Sequence, residues 1–111
     1  MPGSEKKFET KIKTWLKNHN CYYVKFFANA YTRRGVPDIL ASVNGWFVGI
    51  EVKADSGRPS ELQLDNIQLI RDSGGYAWVV YPSGFEQLQT KLVKLLNNQI
   101  FNNLESEVIL K

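Results

Sequence analysis

Asp38, Glu51 and Lys53 are the residues of this 111-residue chain whose types and spacing could do chemistry together. They lie on two strand-like runs, residues 38–43 and 46–53, joined by Asn44-Gly45, the dipeptide that best supports a two-residue type I′ hairpin. In such a hairpin the partners' residue numbers have a constant sum. Val43 therefore faces Trp46, Ser42 faces Phe47 and, continuing outward, Asp38 faces Glu51. Side chains directly opposite each other lie about 4.5 to 5.5 Å apart at Cβ, where like charges destabilise a sheet, so this pair asks for a cation between its members. Period-two alternation puts Lys53 on the face of Glu51 and sends Trp46, Val48, Ile50 and Val52 to the other face. A hard divalent ion takes its oxygens from one or two carboxylates, from waters and from phosphate. A β-bulge between Asp38 and Glu51 would send the two acids to opposite faces, and a solvated polar face is the competing account of all three residues.

The elements that must position these groups can be read along the chain. Phe8, Ile12, Trp15 and Leu16 recur at helical spacing over roughly residues 5 to 18, with Ser4 as the predicted cap and Asn18-His19-Asn20 as the stop. His19, the sole histidine, reads as a helix C-terminal capping residue. Cys21–Phe27 has the aromatic and β-branched character of a strand, and a polar loop with Tyr31, Arg33 and Arg34 leads to Gly35-Val36-Pro37. After the hairpin, Ser60 caps a second helix ending at Gly74-Gly75, and Tyr76–Tyr81 reads as a buried central strand. Ser83-Gly84-Phe85-Glu86 matches a capping box for a third helix with Phe85, Leu88, Leu92, Leu95 and Leu96 on one face. The tail from Asn97 is weakly patterned, although Leu104, Val108 and Ile109 could form a short element that packs on the core or on another copy. This order, α-β-β-β-α-β plus a C-terminal helix, predicts an α/β mixed sheet flanked by helices, because a helical crossover returns its strand parallel to a neighbour.

One domain spanning residues 1–111 is expected, with residues 1–4 flexible and 99–111 a tail available for packing or dimer contact. With Cys21 alone there is no intramolecular disulfide and no thiolate metal cluster, and a single histidine removes His-rich zinc patterns. No apolar run approaches the roughly 18 residues of a membrane span and no signal-peptide pattern opens the chain, which predicts a cytoplasmic protein, in the host cytoplasm if viral. Charge is uneven: up to Arg34 there are eight Lys/Arg against Glu5 and Glu9, and beyond it six against nine acids. That asymmetry suits a polyanion, and Lys25, Arg33, Arg34 and Arg58 are the expected phosphate contacts. A solvated lysine-rich helix face explains the N-terminal charge equally well. No base-reading motif is present, so recognition should follow backbone shape rather than sequence.

Taken together, Gly35-Val36-Pro37-Asp38, Gly49-Ile50-Glu51-Val52-Lys53 and Ser60-Glu61-Leu62-Gln63 resemble the virus-type replication-repair nuclease domain (VRR-NUC) of the PD-(D/E)xK nuclease superfamily. The match runs over roughly residues 5 to 82. It implies a restriction-endonuclease-like fold and catalytic roles for Asp38, Glu51 and Lys53. It further implies a supporting role for Gln63 and a metal set of Asp38, Glu51 and the Val52 carbonyl, with Glu9 linked to it. Read from the residues alone, Glu9 is as well explained by a solvated helix position, and Gln63 by the reciprocal half of a capping box with Ser60. The cofactor implied is Mg²⁺, with Mn²⁺ able to substitute. The activity implied is hydrolysis of DNA by a homodimer at branched sites, a Holliday junction resolvase of viral type. The alternatives are a less selective flap or duplex endonuclease or nickase, and a DNA-binding subunit that keeps the fold without turnover.

Overall fold

The computed structural model of the chain describes residues 3–104 and 106–111. Helix α1 (Gly3–Asn18) buries Phe8, Ile12 and Leu16, the stripe that its spacing predicts. It starts ahead of the expected boundary, so Ser4 lies inside the helix instead of capping it. Of the segment expected to be flexible, Gly3 and Ser4 are thus helical, while Met1 and Pro2 lie outside the described residues. At the other end the His19 ring, protonated at Nδ1, donates to the Trp15 carbonyl at 2.8 Å and stacks on the Trp15 indole with centroids 3.7 Å apart. The same carbonyl also accepts from the His19 amide at 3.1 Å, so the histidine closes the helix through both its ring and its backbone.

The remaining elements are β1 (Tyr22–Lys25), β2 (Ile39–Val43), β3 (Trp46–Val52), α2 (Glu61–Asp72), β4 (Tyr76–Val80), α3 (Phe85–Leu96) and β5 (Ile109–Leu110). They form one five-stranded sheet in the order β1-β2-β3-β4-β5. The first two pairings are antiparallel, and β4 runs parallel to both β3 and β5. Asn44 and Gly45 both have positive φ, 52° and 85°, as a type I′ turn requires. The turn sets the β2–β3 register from Val43↔Trp46 to Ile39↔Ile50 without a bulge.

Val48, Ile50 and Val52 of β3 pack with Ile39 and Val43 of β2 into a core that α1 and α3 complete. On the opposite face, Ile67 of α2 covers Ala77 and Val79 of β4 together with Tyr81. β4 is buried along its whole length, which explains its continuous apolar pattern.

One sequence expectation in this part of the chain is corrected. The capping box at Ser83 does not form: Pro82–Gly84 is a short 3₁₀ turn, and α3 starts one residue later on Gly84 with no side-chain cap. Proline suits the first position of such a turn, and the Gly84 amide donates back to the Tyr81 carbonyl at 2.8 Å, so the chain bends before Ser83 can act as a cap. The C-terminal tail supplies a fifth strand, with the Val79 and Tyr81 amides donating to the Val108 and Leu110 carbonyls. No helix of the described residues is long and apolar enough to cross a membrane.

Candidate active site

Asp38 and Lys53 stand one residue beyond the paired ends of β2 and β3, where the sheet stops and solvent begins. Glu51 sits within β3, 2% exposed. The Phe26 amide donates to the Asp38 carbonyl at 2.8 Å, which holds the backbone of the aspartate against the end of β1. Its carboxylate is then fixed by two donors, the Val52 amide to Oδ2 at 2.9 Å and the Lys25 ammonium to Oδ1 at 3.4 Å.

The register that pairs Ile39 with Ile50 carries Asp38 opposite Glu51, close enough for the Asp38 carboxylate to raise the Glu51 carboxyl. Around Glu51, Oε2 receives the Gln63 amide at 3.1 Å and faces the Lys53 ammonium at 3.4 Å. Oε1 is buried and has no donor among the described residues. Burial, and then the neighbouring Asp38 charge, push the Glu51 carboxyl up to about 8, against the pull of Lys53. Two acids facing each other at a buried position are relieved by sharing a proton or a cation. Asp38 and Glu51 together with the donor-free Oε1 therefore form an oxygen set that fits a hard divalent ion.

Gln63 combines the two roles that the sequence left open. Its backbone amide donates to Ser60 Oγ at 3.1 Å and its side-chain Oε1 accepts from the Ser60 amide at 2.9 Å, a complete capping box for α2. Its Nε2 remains free to hold Glu51. The cap of α2 and the orientation of the glutamate are thus one structure.

Glu9 reaches the pair only at one remove. Its carboxylate takes Lys25 at 2.7 Å on one oxygen and Lys13 at 3.2 Å on the other, so the Lys25 ammonium separates it from Asp38. Among the described residues no third acid joins Asp38 and Glu51 in a cluster. Burial alone would raise the Glu9 carboxyl, but the hydrogen bonds from Lys25 and Lys13 outweigh it and hold Glu9 below the usual range. The same pairing with Glu9 and Asp38 raises the Lys25 ammonium despite its burial.

Lys25, expected among the free phosphate contacts, is thus engaged inside the site. Alternation along β1 places it with the half-buried Tyr23, on the inward face, which was the signal available in the sequence. Arg33, Arg34 and Arg58 are exposed and form no salt bridge among the described residues. The first two lie on the segment leading into Asp38, and Arg58 lies between Lys53 and α2. Gly35, on that same segment, is obligatory: its φ is +80°, and a Cβ there would come within 2.6 Å of the Leu62 carbonyl.

The five-stranded mixed sheet, its flanking helices and the acids at the end of the β2–β3 hairpin define a restriction-endonuclease-like α/β fold. Among solved structures the chain is similar to Hjc of Archaeoglobus fulgidus, described as a Holliday junction resolvase from an archaeal hyperthermophile. The TM-score is 0.53 and the identity 20%, over a match that covers 68% of this chain and 66% of Hjc. At that identity the likeness is one of fold. No protein-family model and no curated protein matches the sequence.

Proposed function

We propose that the chain is a divalent-metal-dependent DNA endonuclease of the VRR-NUC type, acting as a homodimer on branched DNA in the manner of a Holliday junction resolvase. The observation that carries the reading is the placement of Asp38 opposite Glu51 beside a donor-free buried oxygen, with Lys53 3.4 Å from the glutamate. The fold shared with Hjc supports it, and so do the motif resemblance and the unpaired arginines on either side of the site.

Asp38, Glu51 and the Val52 carbonyl would hold Mg²⁺ or Mn²⁺, which when bound acidifies water and neutralises charge around the scissile phosphorus. The chain's own residues prepare for that chemistry. The Val52 amide and Lys25 fix the Asp38 carboxylate, and Gln63 fixes Glu51, so neither acid has to reorganise as charge develops. Lys53, 14% exposed, is placed to steady the attacking water or the charge gathering on the phosphate. Glu9 acts through Lys25, as a positioning residue for Asp38. Arg33, Arg34 and Arg58 would hold the DNA backbone. A dimer suits a four-way junction, because two symmetric phosphodiesters must be cut.

The test is cleavage of labelled four-way junction, flap and linear duplex with Mg²⁺, beside Asp38→Ala and Lys53→Ala and with the oligomeric state measured by light scattering. Junction cutting by a dimer is expected, with each variant slower by on the order of 100-fold or more. If both variants cut as fast as the parent, the assigned site is wrong. Junction binding without any cutting would make the chain a DNA-binding subunit instead.

A further inference from the structure

Phe27 and Tyr31, both on the segment between β1 and β2 that leads into Asp38, are held out in solvent. Tyr31 is 98% exposed and Phe27 75%. The core elsewhere absorbs large aromatics such as Trp78 and Tyr76, whereas these two rings, like Tyr22 on β1, face solvent. Their support is organised. At the base the Phe26 amide donates to the Asp38 carbonyl, and the Asn66 side chain donates to the Arg34 carbonyl at 3.1 Å. At the tip the Tyr31 amide donates to Asn29 Oδ1 at 2.8 Å, and the Asn29 amide to Thr32 Oγ1 at 2.9 Å. That closes a turn whose apex is Tyr31.

The surroundings of the rings identify what they would meet. Arg33 and Arg34 follow Tyr31 after the single residue Thr32, both exposed. The Lys25 ammonium lies 5.9 Å from the centre of the Phe27 ring and 3.4 Å from Asp38 Oδ1, so Phe27 adjoins the proposed scissile position. Exposed aromatic faces interleaved with arginines suit a nucleic acid whose bases are unstacked, because every base offers a π-face and the guanidinium groups take the adjoining phosphates. A continuous duplex keeps its bases stacked and offers no such face, whereas a branch point does.

Building on the nuclease reading, we propose that this turn is the branch-sensing element of the protein: Tyr31 stacks on a base left unstacked at the crossing point of branched DNA, Phe27 covers the side nearer Asp38, and Arg33 and Arg34 hold the flanking phosphates. Selection of branched over linear DNA resides here, apart from the residues that cut.

The experiment uses the full chain without divalent ions, so that binding is read without cleavage. The probes are a four-way junction carrying 2-aminopurine at the crossing point and a linear duplex of the same sequence. The parent should quench the 2-aminopurine on binding and prefer junction to duplex. In Tyr31→Ala and in the double variant Phe27→Ala/Tyr31→Ala the quenching should disappear and the preference fall by about 10-fold, with duplex affinity and thermal midpoint unchanged. Tyr31→Trp should restore both signals. Quenching and preference that persist in the double variant would overturn the inference while leaving the nuclease reading intact, and so would a fall in junction and duplex affinity by the same factor. A parent that neither binds nor, with Mg²⁺, cuts any of these DNAs would remove both.

Discussion

At Glu51 two physical demands conflict: the core of β3 excludes water from a carboxyl that must also face Asp38. In the cation-free protein the outcome is a group whose folded pKa, about 8, lies well above the value of 4.5 expected for the unfolded chain. The folded state then binds a proton that the unfolded state lacks through that window. The stabilisation is fully present below the unfolded pKa and is lost as pH rises through the folded one. In EDTA, urea unfolding should therefore show parent stability falling from pH 5 to pH 9, relative to a Glu51→Gln variant that cannot titrate there. Glu9 acts in the opposite sense and at lower pH, because Lys25 and Lys13 hold it low in the folded state, so it does not mask the effect. Adding Mg²⁺ at the alkaline end should raise the parent's midpoint and leave Glu51→Gln unmoved, since an ion that binds only the folded state stabilises it by mass action. Identical pH profiles for parent and variant would mean that Glu51 is not the buried acid described.

At the scale of elements, the β2–β3 hairpin and the first turn of α2 carry the site between them. The hairpin presents the acids, and the capping box at Ser60 presents Gln63 to Glu51. A loss at the cap should therefore be felt in two places. Ser60→Ala removes the acceptor for the Gln63 amide and should cost about 1 kcal/mol of stability. It should also slow cleavage beyond what that loss of folded protein explains, because Gln63 is no longer held. Ser60→Thr, which keeps the hydroxyl, should preserve both properties. Stability and turnover can be measured on the same preparations, and an unchanged Ser60→Ala would break the proposed coupling. The cap was legible in sequence because Ser60 and Gln63 are three residues apart on a local motif. The false cap at Ser83 has the same local pattern and fails because Pro82 commits the preceding residues to a 3₁₀ turn.

Across the whole molecule, Arg71 is the residue that joins distant parts. It lies on α2, is 3% exposed, and donates to the carbonyls of Ala77, Asn103, Ser106 and Glu107. One guanidinium thereby ties α2 to β4 and to the tail that delivers β5. Leu110, fully buried, follows a few residues later, and its carbonyl passes so close to Gly84 that a Cβ there would meet it. Replacing Arg71 with Met strips several buried carbonyls of their donor and should destabilise the protein by about 3 kcal/mol, read as a fall in the urea midpoint. Hydrogen exchange should localise the early opening to residues 76–80 and 108–110. Arg71→Met with an unchanged midpoint would show that the tail docks without this clamp.

By itself the sequence determined the hairpin and its register, the capped helix α2, the buried run of β4 and hence the meeting of Asp38, Glu51 and Lys53. These depend on alternation, helical spacing and turn chemistry within short stretches, and the Asn44-Gly45 turn propagates its register residue by residue along both strands. The tertiary structure alone decided that Lys25 is paired with Glu9 and Asp38, that Tyr31 stands clear of the core, and that residues 109–110 complete the sheet. Each of those outcomes rests on partners far away in the chain. A lysine on a strand, an aromatic in a loop and a two-residue strand carry too little local preference to settle their place before the rest of the fold surrounds them.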